Sequence, residues 1–99
     1  MTYRVRYTRG AKNDIERLYH FLLEYDIKVA RRALKEIEKS IEFLSNFPFA
    51  CRKAVHDNPF LREILVSFGT SGYVALFEIE NDEMVTILAI RHQREQDYH

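Results

Sequence analysis

The sequence has little of several residue types on which familiar sites depend. Cys51 is the one cysteine, so no internal disulfide can form, and we expect a cytoplasmic protein. The three glycines form no glycine-rich phosphate loop, and there is neither a cysteine pair nor an HExxH zinc motif. No apolar run approaches the roughly 20 residues of a membrane helix, and MTYRVRYTRG lacks the apolar core of a signal peptide. We therefore expect no metal, no cofactor and no membrane association.

Neither sign of charge is in excess, because 15 Lys and Arg residues balance 15 Asp and Glu residues. Neutrality argues against a protein that grips long nucleic acid, but it does not exclude a local basic site. The distribution is uneven, since residues 1–49 hold 10 basic and 7 acidic side chains and residues 50–99 hold 5 and 8. With 46% hydrophobic residues, the 99-residue chain predicts one folded domain over residues 1–99.

The first half of the chain predicts one strand and two helices. Residues 2–8, TYRVRYT, alternate strictly and predict a half-buried strand. From Ala11 the apolar residues recur every three or four positions, which predicts an amphipathic helix of about four turns. Asp14 lies early in it, where the positive end of the helix dipole favours a carboxylate. A second helix from about Lys28 ends before Pro48, and so short a connection makes the two an antiparallel helical hairpin.

The second half predicts a loop and then hairpins. Residues 46–60 hold both prolines and show no period, so we expect a loop there. Three runs separated by short turns then predict strands: Leu61–Phe68, Tyr73–Glu80 and Met84–Arg91. In the last run Val85, Ile87 and Ala89 share one face, and the other face is also apolar. The order β-α-α-β-β-β predicts an α+β fold, with a small, mainly antiparallel sheet packed against an N-terminal helical hairpin.

Arginine, histidine and tyrosine side chains collect at the ends of the last strands. Such a cluster on an open sheet face suits a phosphate or an acidic protein surface. Histidine could add acid–base chemistry near neutral pH. A tail that is merely charged and solvated is the alternative. The candidate target-binding residues are Arg62, Tyr73, Arg91, His92, Arg94 and Tyr98.

Two other groups of reactive side chains do not favour a site. Cys51 with His56 could suggest a thiol nucleophile, but nothing places a base against the thiol, so an incidental loop cysteine is the preferred interpretation. A metal would need three or four converging ligands. His92, His99 and Asp97 could contribute, but two of them fall in the closing tail.

Over residues 3–98 the chain resembles the RelE/ParE superfamily of type II toxins, often named plasmid stabilization proteins. The resemblance rests on YRVRYTRGAKNDIERLYHFL, LREILVSFGTSGYVALFEIE and VTILAIRHQREQDYH, in that order and spacing. It implies the fold predicted above and a cognate antitoxin that folds as it binds across the helical hairpin and the sheet, which would cover the second apolar face of the sheet. Promoter DNA would then be bound only through the antitoxin. The expected antitoxin-binding residues are Ile15, Leu18, Leu22, Leu34, Ile37 and Ile41.

Two mechanisms compete within this superfamily. RelE-like members cut mRNA on the ribosome, with lysines on the first strand after the helices and an arginine directly after the tyrosine that opens the next strand. Here LREILVSF holds no lysine and Val74 follows Tyr73, so the cations that would stabilise developing charge at phosphate are absent. His92 followed by Arg94 is more similar to the ParE-like pattern.

The resemblance therefore favours a ParE-like toxin that inhibits DNA gyrase and blocks replication by protein contact, without being an enzyme. The alternative is a RelE-like ribosome-dependent endoribonuclease, in which Arg91, Arg94 and Tyr98 would act on RNA. A third hypothesis is a toxin-fold protein that has lost toxicity and only binds its partner.

Overall fold

The computed structural model describes residues 2–94, which form two helices and one five-stranded sheet. The elements are β1 (Arg4–Tyr7), α1 (Arg9–Leu23), α2 (Ile27–Leu44), a short 3₁₀ turn (Pro48–Ala50), β2 (Arg52–Val55), β3 (Asn58–Phe68), β4 (Ser71–Ile79) and β5 (Met84–His92). The strand order is β1-β5-β4-β3-β2, and every pair is antiparallel except β1 with β5. The predicted α+β fold with a helical hairpin is confirmed.

Two details of the prediction are wrong. The expected loop contains β2, because Arg52 and Lys53 pair with the early part of β3. Helix α1 begins at Arg9 rather than Ala11, since the Thr8 hydroxyl accepts a hydrogen bond from the Ala11 N–H at 3.1 Å. The first turn of α1 therefore holds no acidic residue, and Asp14 is buried in the second turn rather than placed at the positive end of the helix dipole.

The helical hairpin covers one face of the sheet. Asp26 starts α2, because its Oδ1 accepts a hydrogen bond from the Lys28 N–H at 2.7 Å. Helix α1 packs against β5, and α2 packs against β3. The core between the layers is built from fully buried side chains that include Leu44, Val66, Phe77, Ile87 and Ile90. Neither helix in residues 2–94 is long and apolar enough to cross a membrane.

The opposite face of the sheet is apolar in its centre, as the sequence predicts. Val74 and Ala89 are buried there, Leu76 and Leu88 are half-buried, and Leu65 is exposed. Charged pairs flank this centre on the outer strands. Arg6 of β1 meets Glu80 at 2.6 Å, and Arg52 of β2 meets Glu63 at 3.0 Å.

A bulge in β5 decides which side chains face the helices near its end. Leu76 pairs with Ala89 and Phe77 pairs with Ile87, which leaves Leu88 as an extra residue. Strict alternation predicts that Ala89 and Arg91 lie on the Ile87 face, and that expectation is wrong. After the bulge Ile90 returns to the core, and His92 follows it on the same face.

The start of α1 holds this bulge in place. Strand β1 stops at Tyr7 opposite Ile87, so the edge of β5 beyond that point needs other partners. Thr8 supplies two of them, since its N–H donates to the Ile87 carbonyl at 3.0 Å and its hydroxyl donates to the Leu88 carbonyl at 3.1 Å. The Asp14 carboxylate accepts the Ile90 N–H at 2.9 Å. Helix α1 thus replaces a strand along the last part of this edge.

Candidate functional site

The end of β5 and the outer side of α1 enclose an open cleft of about 580 Å³. Its floor is apolar and its rim carries two arginine side chains. The lining residues are Arg17, Leu18, Phe21, Leu22, Tyr73, His92 and Arg94. Three of the predicted target-binding residues, Tyr73, His92 and Arg94, are therefore brought together here.

Tyr73 forms the deep end of this cleft. It is 3% exposed, and its ring lies edge-on to the His92 ring, with 5.7 Å between centroids. Phe68 stacks on it from the neighbouring strand, with centroids 6.3 Å apart. Burial raises the pKa of the Tyr73 phenol, so this side chain stays neutral at physiological pH. It provides a rigid apolar wall rather than a negative charge.

Two hydrogen bonds fix the ring of His92. Its Nδ1 accepts the backbone N–H of Arg94 at 3.1 Å, so this nitrogen must carry a lone pair. The proton of the neutral ring then lies on Nε2, which donates to the Ser71 hydroxyl oxygen at 3.1 Å. With both bonds intact, the ring orients Ser71 and the Arg94 backbone, and both of its nitrogens are engaged.

The chain turns sharply after β5, and a hydrogen bond to Gly72 of β4 holds the turn. The Gly72 carbonyl accepts the Gln93 N–H at 2.8 Å, which places Arg94 beside the cleft. A Cβ added at Gly72 would lie 1.9 Å from the Val66 carbonyl oxygen, so no larger residue fits this backbone. The glycine thus allows the close approach of β3 to β4, while its carbonyl holds the turn that carries Arg94.

The structure places two of the other predicted target-binding residues, Arg91 and Arg62, outside this cleft. Arg91 projects from the face opposite His92, and its guanidinium donates to the His92 and Gln93 carbonyls at 3.3 and 3.4 Å. Arg62 pairs with Phe77, four residues along β4 from Tyr73, which is roughly 13 Å away. Tyr98 lies outside the residues that the structure describes, as do His99 and Asp97.

Arg62 acts as a clamp for the loop before β2. Its guanidinium lies 5.2 Å from the centre of the Phe49 ring, in cation–π contact. It also donates hydrogen bonds of 2.7 to 3.2 Å to three backbone carbonyls, those of Phe49, Cys51 and Pro59. Each of these contacts lies within the chain itself. The side chain is therefore engaged in holding the fold.

Cys51 does not have the environment of a nucleophile. Burial raises the pKa of its thiol, and the opposing effect of the nearby Arg62 charge is smaller. His56 is exposed on the turn after β2, and no contact joins it to the thiol within residues 2–94. In that same part of the chain, no three His, Cys, Asp or Glu side chains converge as metal ligands.

The six predicted antitoxin-binding residues form the inner stripe of the hairpin. Leu18, Ile37 and Ile41 are buried in the core. Ile15 and Leu22 pack against that core, and Leu34 lines a small space between the helices. The stripe is thus used first inside the fold, and its contact with an antitoxin stays a prediction.

The sequence argument missed Arg17, Phe21 and Ser71 as members of the site. Arg17 and Phe21 are four residues apart on α1, next to the apolar stripe, and both point at the cleft. That spacing was a usable signal. Ser71 carried no signal of its own, because its contact with His92 depends on the pairing of β4 with β5.

Similarity to known proteins agrees with this architecture. A family model described as ParE toxin of the type II toxin–antitoxin system parDE matches residues 5–97. Toxin RelE1 from Caulobacter vibrioides is 32% identical over 96 residues, which cover 97% of this chain and 99% of that protein.

Two solved structures share the fold. The chromosomal ParDE system of P. aeruginosa matches with a TM-score of 0.72 and 18% identity, over 92% of this chain and 96% of that one. The RelBE2 toxin–antitoxin complex of Mycobacterium tuberculosis matches with a TM-score of 0.61 and 22% identity, over 94% and 100%. With the family model spanning nearly the whole sequence, this chain belongs to the ParE toxin family of type II toxin–antitoxin systems, within the RelE/ParE superfamily.

Proposed function

We propose that this toxin acts on DNA gyrase by protein contact, blocks replication, and does not cleave RNA. The observation that carries the proposal is that, within residues 2–94, the two strands next to Tyr73 offer no cation that is free of contacts inside the fold. Arg62 is the one basic residue of β3, and it is held by three carbonyls, while β4 has no basic residue. A scissile phosphate lying over these two strands would find no free cation on them to stabilise its transition state, because the arginines of the cleft, Arg17 and Arg94, stand at its rim on α1 and after β5.

The hydrogen bonding of the His92 ring also supports a role in binding rather than in catalysis. A general base needs a lone pair within reach of the proton that it removes. The Nδ1 lone pair accepts the Arg94 N–H, and Nε2 carries the proton that Ser71 accepts. Catalysis by His92 would require one of these bonds to break first.

The cleft has the chemistry of a pocket for a protein side chain. Leu18, Phe21 and Leu22 form an apolar floor, and Arg17 and Arg94 stand at the rim. An apolar residue followed by an acidic one would fill the floor and pair with an arginine at the edge. We infer that a segment of gyrase of this composition is the target.

A RelE-like endoribonuclease remains the second candidate. It is favoured by the relative at 32% identity, whose name is Toxin RelE1. In that case Arg91 and Arg94 would contact RNA, together with Tyr98 from outside the described residues.

We further propose that an antitoxin neutralises this toxin in the cytoplasm by covering the same cleft. Four exposed apolar side chains surround the tip of the helical hairpin next to it: Phe21, Leu23, Tyr25 and Ile27. Phe21 is 57% exposed, and its ring packs against Tyr25 with 5.3 Å between ring centroids. A partner helix with an apolar face would bury this surface, and promoter DNA would be bound by the antitoxin rather than by this chain.

The test compares the two targets directly. Purified toxin is added to gyrase with supercoiled plasmid, and in parallel to translating ribosomes with a reporter mRNA. We expect linearised plasmid and intact mRNA. Arg94→Ala should lower plasmid cleavage by about tenfold, the effect of about one lost charged contact, while the control Lys12→Ala, an exposed cation on α1, should match the wild type. Codon-spaced mRNA cuts with gyrase unaffected would establish the endoribonuclease instead.

A further inference from the structure

The solvent face of α2 is a basic surface that the proposed target cleft does not use. Five cations lie on this helix: Lys28, Arg31, Arg32, Lys35 and Lys39. At about 100° per residue they fall within an arc of roughly 100°, directly opposite the buried Ala30, Ala33 and Ile37. No apolar side chain lies within that arc between the first and the last of these cations. We call this surface the α2 basic face.

The charge of the α2 basic face is concentrated in the first half of the helix. Residues Ile27 to Lys35 include four cations and no acidic residue, and the acidic side chains of the helix begin at Glu36. A helix N-terminus carries positive partial charge, so cations there are unfavourable and acidic residues are the usual choice. Departures from such local rules are expected where a surface serves binding.

These charges are not neutralised inside the chain. Within residues 2–94, no carboxylate lies within ion-pair distance of Lys28, Arg31, Arg32 or Lys35. Lys39 is different, because it pairs with Glu36 at 3.3 Å. Four exposed cations without an ion-pair partner in residues 2–94 therefore lie along about 10 Å of the helix.

We propose that the α2 basic face binds the phosphate backbone of duplex DNA, and that it contacts the DNA held by gyrase. The second part rests on the proposed gyrase target. A phosphate strand offers one negative charge every 3.4 Å or so, and about three fall along the length of the face. Protein interfaces need an apolar centre, and this face has none, which favours DNA over an acidic protein.

The salt dependence of DNA binding tests the first part without gyrase. Full-length toxin is titrated into a fluorescent duplex of roughly 30 base pairs at about 50 and 200 mM salt. With both strands counted, about six phosphates lie along the length of the face, enough for its four unpaired cations, and four phosphate contacts predict a loss of affinity of about 100-fold between the two concentrations. In the triple variant Lys28→Gln, Arg32→Gln, Lys35→Gln one contact remains, and the expected loss is about fourfold.

A second triple variant controls for net charge. Arg9→Gln, Lys12→Gln, Lys53→Gln removes the same number of exposed cations from α1 and β2 and should keep the wild-type salt dependence. Thermal melts of both variants show whether the fold is kept. Equal salt dependence in the two triple variants, or no binding by the wild type at the lower salt concentration, overturns the proposal. Loss of antitoxin binding without loss of DNA binding in the α2 variant overturns it too, in favour of an acidic protein partner.

The gyrase assay separates this inference from the proposed function. If the α2 variant loses DNA affinity and also about tenfold or more in plasmid cleavage, both parts are supported. If the wild type binds DNA with the expected salt dependence but leaves gyrase unaffected, the proposed gyrase target and the proposed contact with gyrase-held DNA are both wrong. DNA binding by the α2 basic face is then still supported. If gyrase is poisoned equally by the wild type and the α2 variant, the contact with gyrase-held DNA fails and the gyrase target stands.

Discussion

Replacement of Asp14 by alanine is expected to destabilise the fold and to disorganise the cleft. Asp14 is 5% exposed, and its carboxylate accepts the Ile90 N–H at 2.9 Å. A hydrogen bond to a charged group contributes roughly 1.5–3 kcal/mol, and its loss leaves the buried Ile90 amide without this partner. Arg17 adds little, because it lies 4.0 Å from the carboxylate and is about half exposed.

The better helix propensity of alanine offsets part of the stability that Asp14→Ala loses. That gain is roughly 0.5 kcal/mol, which leaves a destabilisation of about 2 kcal/mol for Asp14→Ala. For a domain of this size, the melting temperature should fall by about 8–16 °C. Asp14→Asn keeps an acceptor oxygen but not the charge, so about half of the loss is expected.

The assay is thermal unfolding combined with amide hydrogen exchange. The Ile90 amide should lose protection in Asp14→Ala and retain most of it in Asp14→Asn. Glu16→Ala is the matched control, since Glu16 is an exposed carboxylate two residues further along the same helix. If Asp14→Ala melts within about 2 °C of the control with the Ile90 amide still protected, the role assigned to Asp14 in holding the bulge is refuted.

Three further changes test the clamp, the thiol and one surface carboxylate. Arg62→Lys should cost about 1–2 kcal/mol in a urea melt, because a lysine cannot reach three carbonyls in the planar geometry of a guanidinium; an unchanged midpoint would contradict the clamp. Because burial raises its pKa, the Cys51 thiol should react with iodoacetamide at neutral pH several-fold more slowly than a free cysteine peptide, and an equal rate would contradict this. Hydrogen bonds from Thr86 and Arg6 lower the pKa of Glu80, so its stabilising effect is present above its ordinary value of 4.5 and is lost as the pH falls through the lower, folded value. Glu80→Gln should therefore lose less stability than the wild type on acidification below that value, and parallel pH profiles would argue against the interaction.

The helical hairpin was predictable because periodicity and capping residues are local signals. Strand β2 was not predictable in the same way. Its four residues, RKAV, have no apolar alternation, and they become a strand because the long β3 extends back far enough to pair with them. The prolines of this segment correctly predicted a break after α2, but they carried no information about the pairing that follows.

The candidate site was predictable in its residue types and only in part in its geometry. Tyr73 and His92 end adjacent antiparallel strands, so their proximity followed from the predicted hairpin. The opposite orientations of the Arg91 and His92 side chains did not follow from the predicted hairpin. They depend on the extra residue Leu88, and the partners that hold this bulge are Thr8 and Asp14, roughly 80 positions earlier in the sequence.

This bulge explains why the cleft carries a histidine and not an arginine on its inner wall. Without the extra residue, strict alternation would turn Arg91 toward Tyr73 and would place His92 on the outer face. The arginines of the cleft, Arg17 and Arg94, stand at its rim, whereas the His92 ring lies edge-on to Tyr73 with both of its nitrogens hydrogen-bonded. The same α1 residues that hold the bulge precede Arg17 and Phe21 on the opposite wall. The bulge at the edge of β5 therefore determines which side chain lies beside Tyr73, and a histidine with both nitrogens engaged is consistent with the proposed binding of a protein.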